Sequence, residues 1–184
     1  MLLRHLLIAV FLTGILHLPP ASAAARPWVR IDTRTETLAV VRDGRVVDTI
    51  HGIALGRGGV SRDRVRGDER TPLGHFRVAW VNDDSPFRRF YGLDYPNRAY
   101  ARRALAEGRI DRGTYRQILT ALRGHRIPPQ NTSLGGYVGI HGLGRASPRI
   151  HRLFNWTRGC IAVTNTQIDR LGRWMAVGTT VVIK

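Results

Sequence analysis

Two residues in the C-terminal half of the chain carry the side chains needed for nucleophilic catalysis. Cys160 is the only cysteine of the 184 residues, and His141 precedes it in the segment Gly139–Gly142. A thiol with an ordinary pKa near ~8.5 is mostly protonated at neutral pH, so an imidazole that accepts its proton makes it a nucleophile. The pair predicts Cys160 as nucleophile and His141 as its base. The alternative is a buried, inert Cys160, because free cysteines are often buried.

A glycine directly precedes this cysteine. Because Gly159 has no side chain, the backbone amides of Arg158, Gly159 and Cys160 can converge on an oxyanion, often the largest single contribution in acyl transfer. Trp156 and Tyr137 are candidates for the walls of a cleft, although aromatic residues of β proteins more often belong to the core.

The remaining histidines do not predict a metal centre. His51, His75 and His125 show no ligand spacing with acidic residues or with Cys160, so we expect no metal and no cofactor. His151 lies between the two candidate catalytic residues on an arginine-rich segment, and we expect it to be solvated.

Strand ends are expected to display the two reactive residues. Residues 135–140 form a glycine-rich apolar strand that ends at His141, and residues 160–163 are apolar. Thr164 or Asn165 then caps a helix that runs to Met175, and residues 179–183 form a closing strand.

Upstream, the pattern is also mainly that of strands. Asp43-Gly44 predicts a hairpin within residues 28–55, and residues 76–81 alternate as a half-buried strand. Residues 56–70 are predicted to be a mobile loop and residues 82–97 a surface loop, whereas residues 99–106 and 114–122 favour a short helical insertion. Because strands and helices do not alternate regularly, the predicted fold is mainly β, a sandwich or barrel-like sheet with a few appended helices.

The N-terminus predicts export. Arg4 precedes an apolar run that is too short to span a bilayer, and small residues of the A-x-A type follow it. We expect residues 1–25 to be a secretory signal peptide and residues 26–184 to be one catalytic domain in the periplasm or cell wall. An uncleaved anchor or a buried N-terminal helix is the alternative.

The charge is strongly positive, +16 for the chain, and every basic residue except Lys184 is arginine. The arginines are scattered, so the sequence does not predict a specific nucleic-acid site. Outside the cytoplasm such a charge favours the anionic envelope surface and the carboxylates of peptidoglycan stem peptides.

Three motifs resemble the L,D-transpeptidase catalytic domain, or YkuD domain. In that family a His-Gly pair precedes Ser/Thr-x-Gly-Cys and an apolar residue, matched here by His141-Gly142 and by Thr157 to Ile161. The sequence Thr71-Pro72-x-Gly74-x-Phe76 matches the turn and strand that lie before the catalytic strands. The resemblance covers roughly residues 28–184.

The resemblance implies a β-rich fold and a thioester on Cys160. The His base is oriented through its other ring nitrogen by a backbone carbonyl, here that of Gly142. The family attacks the amide between the third and fourth residues of a peptidoglycan stem and releases the terminal D-residue. An amine acceptor then gives cross-linking or protein attachment, and water gives hydrolysis.

Two departures concern substrate binding. Many family members have Arg where this chain has Ala162, and Ser and His where it has Thr157 and Arg158. The substrate-contacting guanidinium is then either missing or supplied from elsewhere, with Arg145, Arg149 and Arg158 as the candidates. The residues around Cys160 also resemble a subgroup that includes hydrolases releasing peptidoglycan-linked lipoprotein.

The sequence therefore predicts a cysteine-dependent L,D-transpeptidase acting on peptidoglycan stem peptides. Hydrolysis of peptidoglycan, or of its linkage to a lipoprotein, is the alternative within the family. A basic module that binds the wall without catalysis is the alternative outside it.

Overall fold

The computed structural model describes residues 25–184, so the predicted signal peptide lies outside the described residues except for its last position. The described chain is mainly strand, with short helices between the later strands. The strands are β1 (Trp28–Asp32), β2 (Thr37–Arg42), β3 (Arg45–His51), β4 (Val60–Ser61), β5 (Thr71–Pro72), β6 (Gly74–Asn82), β7 (Phe90–Leu93), β8 (Gly139–His141), β9 (Ile161–Ala162) and β10 (Thr180–Ile183). The helices are α1 (Arg98–Ala106), α2 (Arg112–Arg123), α3 (Pro148–Leu153) and α4 (Asn165–Leu171).

Eight of the strands form one sheet in the order β3-β2-β1-β10-β6-β7-β8-β9. Its two edges come together because Ala54, just after β3, pairs with Ala162 in β9 through two backbone hydrogen bonds of 2.8 and 2.9 Å. The sheet is therefore curled and closed like a barrel, and the predicted mainly β class with a few helices is confirmed.

The opening hairpin forms at the predicted turn. Strands β2 and β3 pair antiparallel around Asp43-Gly44, and both turn residues have positive φ angles of 51° and 72°. Such angles match the twist of a two-residue hairpin. Strand β3 is the sheet edge on this side, whereas β10 pairs with both β1 and β6 in the middle of the sheet.

The predicted surface loop over residues 82–97 is wrong. It contains β7, which lies between β6 and β8 and buries Tyr91 and Leu93 completely. The flanking prolines and polar residues suggested a loop, but Gly92 lets the Trp80 ring lie directly over the backbone of β7, where a Cβ would clash.

The helical insertion forms as predicted and is capped by acidic or amide side chains. Asn97 accepts a hydrogen bond from the amide of Tyr100 at the start of α1, and Asp111 accepts one from Thr114 at the start of α2. The two helices contribute to a second, smaller apolar core centred on Ala101, Ala104 and Ile118.

Two further helices flank the strand that follows Cys160. Helix α3 begins at Pro148 and was not predicted from the sequence. Helix α4 begins after a capping box of Thr164 and Gln167, as predicted, but ends at Leu171 rather than Met175. Within residues 25–184 the helices are all too short or too polar to cross a membrane.

Candidate active site

The segment that carries Cys160 is fastened at both ends to the chain that follows β3. On one side Thr157 donates its amide to the Leu55 carbonyl at 3.1 Å and accepts the Arg57 amide at 2.9 Å. On the other side Ala162 pairs with Ala54. The loop bearing Cys160 is therefore part of the closure of the sheet, which fixes its position.

Residues of the Thr-Pro-x-Gly motif support this closing segment. The hydroxyl of Thr71, which is fully buried, accepts a hydrogen bond from the amide of Gly56 at 2.9 Å. A Cβ at Gly56 would collide with the Glu69 carbonyl, so only glycine fits at this position. The motif therefore acts through the backbone that holds the Cys160 loop.

His141 lies at the end of β8, beside β9, and is only 3% exposed. Its Nδ1 is 2.6 Å from the Gly142 carbonyl oxygen. A carbonyl can only accept, so Nδ1 carries the hydrogen and Nε2 is the basic nitrogen. Burial lowers the pKa of His141, and nearby His151 acts in the same direction, so the imidazole is neutral at neutral pH.

Aromatic rings surround this imidazole. Phe87 lies tilted at 4.4 Å between ring centroids, Phe90 stacks at 6.0 Å, and Trp156 meets it edge-on at 6.0 Å. The indole Nε1 of Trp156 donates to Nδ1 of His151 at 3.4 Å. The ring of His141 is thus confined sideways as well as through Nδ1.

Cys160 is partly accessible from the cleft, yet its thiol is densely surrounded. Burial raises the pKa of Cys160 to about 11, against opposing effects of the Gly139 amide and of Arg64. The thiol donates to the Tyr137 carbonyl at 3.2 Å, a bond available only to the protonated form. The resting site is therefore a neutral thiol with a neutral imidazole.

Two backbone amides are free for an oxyanion. Gly159 does not contribute as expected, because its amide donates to the Thr157 hydroxyl at 3.1 Å. That hydroxyl in turn donates to the Cys160 carbonyl at 2.7 Å. Within residues 25–184 the amides of Arg158 and Cys160 have no protein acceptor, so these two are the donors that an oxyanion can use.

A cavity of about 900 Å³ brings the predicted residues together. The predicted residues that line it are Tyr137, His141, Trp156, Thr157, Arg158 and Cys160. The backbone carbonyl of Tyr137 accepts the hydrogen bond from the Cys160 thiol, and the Tyr137 side chain is 69% exposed. Gly142 supplies the carbonyl that orients His141.

Arg145 and Arg149 do not line this cavity. Arg145 borders a separate small pocket with Phe87, and Arg149 lies on α3. The guanidinium groups of the cavity come instead from Arg158 and from Arg57, Arg64 and Arg66, in the segment predicted to be a mobile loop. No sequence signal separated these three from the other arginines of the chain.

The prediction that His151 is solvated is wrong. His151 is only 6% exposed, because it lies on α3 with its ring against the Trp156 indole. Burial lowers its pKa. Ala162, at the position of the family's arginine, is also fully buried, since it packs in the bridge to Ala54. In residues 25–184 no group of three or more potential metal-ligating side chains occurs.

A curled β sheet that presents a cysteine and a buried histidine in one cleft defines the class of fold. The L,D-transpeptidase catalytic domain model, YkuD, matches residues 26–183, and the chain belongs to this family. Among curated proteins no match was found.

Solved structures share the fold at low sequence identity. The helical cell shape determining protein Pgp2 of Campylobacter jejuni is 19% identical with a TM-score of 0.56, covering 88% of this chain and 49% of that one. An L,D-transpeptidase of Xylanimonas cellulosilytica is 20% identical with a TM-score of 0.51, covering 91% and 65%. An Enterococcus faecium L,D-transpeptidase mutant is 14% identical with a TM-score of 0.52, covering 87% and 50%. This chain thus matches from about half to two thirds of the length of these proteins.

Proposed function

We propose that this chain is a cysteine-dependent L,D-transpeptidase that acts on peptidoglycan stem peptides through a thioester on Cys160. The observation that carries the proposal is the cleft itself, where Cys160, a buried neutral His141 and two unpaired amides lie together in a member of the YkuD family. A wall-binding module would need none of these three features.

In the first half-reaction, Sγ of Cys160 attacks the carbonyl carbon of the amide between the third and fourth stem residues. Nε2 of His141 takes the thiol proton as the bond forms, because a thiol with a pKa of about 11 is a poor nucleophile unaided. The amides of Arg158 and Cys160 donate to the oxyanion. Collapse breaks the C–N bond, and the leaving amine takes the proton from His141.

In the second half-reaction an acceptor attacks the thioester. An amine gives a new amide and transfers the stem, whereas water gives a free carboxylate. In either case His141 removes the proton of the acceptor and returns it to the Cys160 sulfur. The acceptor decides between transpeptidase and endopeptidase or carboxypeptidase activity.

Cleft charge supports a substrate that carries carboxylates. The guanidinium of Arg57 pairs with Glu69, while Arg66 donates to the carbonyls of Asn131 and Thr132 and Arg158 is exposed. Peptidoglycan stems carry carboxylates, so a cleft with more cations than anions attracts them. Among residues 25–184, Glu69 is the one acidic residue that lines the cavity.

The proposal includes export to the periplasm or cell wall, where this substrate is found. A chain of net charge +16 would also associate there with the anionic envelope surface. A role in cell-wall remodelling and cell shape accords with the name of the Campylobacter protein of similar fold. Wall-linked lipoprotein is the further substrate that the hydrolytic alternative implies.

The test is covalent capture of the acyl-enzyme. Purified protein from residue 26 onward is incubated with a tetrapeptide stem analogue or a carbapenem, and the intact mass is recorded. We expect an acyl adduct that peptide mapping places on Cys160 and that Cys160→Ala lacks. A folded protein that gives neither adduct nor turnover of purified sacculi contradicts the proposal.

Products of the sacculus digest distinguish the alternatives. New cross-links or stems exchanged onto an added D-amino acid indicate transfer, whereas free stems or released lipoprotein indicate hydrolysis. If the wild type and Cys160→Ala bind sacculi equally and neither changes them, the chain is a wall-binding module.

A further inference from the structure

Arg64 is a buried guanidinium beside the nucleophile. The residue lies between β4 and β5 and is only 5% exposed. Asp68 forms an ion pair with it, but its Oδ1 is 3.8 Å from Nε, too far for a hydrogen bond. Burying a charge is costly unless it is paired or hydrogen-bonded, so the groups that receive its donors indicate why it is there.

Three backbone carbonyls from three chain segments accept those donors. Nε donates to Arg70 at 2.8 Å, Nη1 to Leu134 at 3.1 Å and Nη2 to Arg158 at 3.3 Å. The planar guanidinium holds such a set in fixed geometry, which the single ammonium of lysine cannot do. One side chain therefore joins its own loop, the segment before Tyr137 and the Cys160 loop.

The contact with Arg158 fixes the peptide that precedes the nucleophile. The Arg158–Gly159 peptide has its carbonyl bonded to Arg64 and its amide bonded to the Thr157 hydroxyl. A peptide held at both ends cannot rotate. Its orientation sets the direction of the two neighbouring amides, those of Arg158 and Cys160, which are the ones left free for an oxyanion.

Neighbouring residues pack the guanidinium closely. The ring of Tyr95 lies 5.1 Å from its central carbon, and the Tyr95 hydroxyl donates to the Leu134 carbonyl at 2.9 Å. A Cβ at Gly159 would lie 3.1 Å from Nε, and one at Gly135 would lie 2.9 Å from Nη1. Two glycines thus let the backbone approach the cation, which leaves it little freedom to move.

We infer that Arg64 is a positioning residue of the reaction, which orients the oxyanion-binding amides through the Arg158 carbonyl and places a fixed positive charge beside the Cys160 thiolate. This role deepens the proposed function and rests on it only where stem peptides are the substrate. The reactivity of the Cys160 thiol can be measured with simple reagents, whatever the natural substrate is. In agreement with this geometry, Arg64 lowers the pKa of Cys160 against the effect of burial.

Other charged or titratable groups also face the thiol or border its cleft. Those that line the cleft are His141, Tyr137, Arg158, Arg66 and the pair of Arg57 with Glu69, whereas His151 lies near His141 and Asp68 lies near Arg64. Each is unchanged in the variants below, so differences between variants report on position 64.

The experiment compares Arg64→Met and Arg64→Lys with Arg109→Met and Arg109→Lys. Arg109 is a matched control, because it is also shielded, at 20% side-chain exposure, and it pairs with Glu107 and Asp63 away from the cleft. Cys160 is the only cysteine, so thiolate absorbance and alkylation by iodoacetamide report on one site. Acylation by p-nitrophenyl acetate is measured in parallel, because it forms an oxyanion whereas alkylation does not.

For Arg64→Met we expect the thiol to titrate at higher pH, with alkylation at neutral pH slower by about tenfold and acylation slower still. For Arg64→Lys, which keeps the charge, we expect nearly native alkylation but acylation slower by about tenfold or more. Both Arg109 variants should match the wild type in all three measurements.

Equal acylation-to-alkylation ratios in Arg64→Lys and wild type would overturn the positioning role. An unchanged thiol titration in folded Arg64→Met would overturn the charge effect; if that variant does not fold, alkylation of Arg64→Lys well below the native rate would do so. If these thiol measurements follow expectation while the wild type fails to turn over stem peptides, the proposed substrate is wrong and the role of Arg64 stands.

Discussion

Thr157 donates its hydroxyl hydrogen to the carbonyl oxygen of Cys160 at 2.7 Å. The hydroxyl oxygen of Thr157 also accepts the amide hydrogen of Gly159 at 3.1 Å, and Thr157 is only 3% exposed. One hydroxyl therefore closes the turn that presents Cys160. The Thr157 hydroxyl thus has a structural role in this loop.

We predict that Thr157→Val slows acylation of Cys160 by about tenfold or more and lowers the free energy of unfolding by about 1–3 kcal/mol, because the buried Gly159 amide loses its partner. Thr157→Ser, which keeps the hydroxyl, should retain most of the acylation rate and most of the free energy of unfolding. Thr179→Val is the control, since its hydroxyl accepts the Ala176 amide at 2.9 Å in a turn remote from the cleft. Acylation kinetics and urea unfolding measure the effects, and equal acylation by Thr157→Val and wild type would contradict this role.

Gly159 is predicted to be intolerant of any side chain for two separable reasons. Its φ of +114° disfavours L-residues, and a Cβ would lie 2.6 Å from the Arg70 carbonyl oxygen. Gly178 has a φ of +92° with open space around it. Gly178→Ala should therefore cost about 1–2 kcal/mol from backbone strain alone, whereas Gly159→Ala should cost more and also slow acylation. Similar unfolding midpoints for the two variants would show that the close approach does not matter.

The sequence predicted most strands and singled out Cys160 and His141 as candidate nucleophile and base, because those features are local. The hairpin at Asp43-Gly44, the cap at Thr164 and the carbonyl of Gly142 as the partner of His141 each depend on neighbouring residues. Local patterns of this kind depend on a few residues that are close together in the sequence.

What the sequence did not predict depends on contacts between distant segments. Arg64 looks like any other arginine until the Leu134 and Arg158 carbonyls converge on it from far along the chain. His151 is buried because α3 forms. Strand β7 was not predicted because it contains a glycine and is flanked by polar residues. Tertiary packing determines such burial, so it cannot be predicted from any single segment of the sequence.

The role of His141 predicts a pH dependence for the thiol reaction. At neutral pH the thiol is protonated, so His141→Asn should slow alkylation by about 10²-fold or more through loss of the base. The difference should shrink as the pH approaches about 11, where Cys160 ionises without help. His125→Asn, at an exposed position, is the control and should follow the wild type. Parallel pH profiles for His141→Asn and wild type up to high pH would mean that the imidazole is not the base.

Two buried histidines predict a loss of stability in mild acid. Burial lowers the pKa values of His141 and His151 in the fold, whereas in the unfolded chain both are expected near ~6.5. Between the unfolded value and the lower folded values, the unfolded chain therefore binds more protons. By linkage, their contribution to stability is present above about pH 6.5 and is lost as the pH falls through this window.

Urea midpoints measured from pH 7.5 down to about 5 should therefore fall, and His151→Gln should flatten the slope by removing one of the two titrating groups. Burial raises the pKa of Asp94, which acts in the opposite direction, so each variant is compared with the wild type at the same pH. His75→Gln, which changes an exposed histidine, is the control substitution. A slope that His151→Gln leaves as steep as in the wild type would show that this imidazole is protonated equally in the folded and unfolded chain.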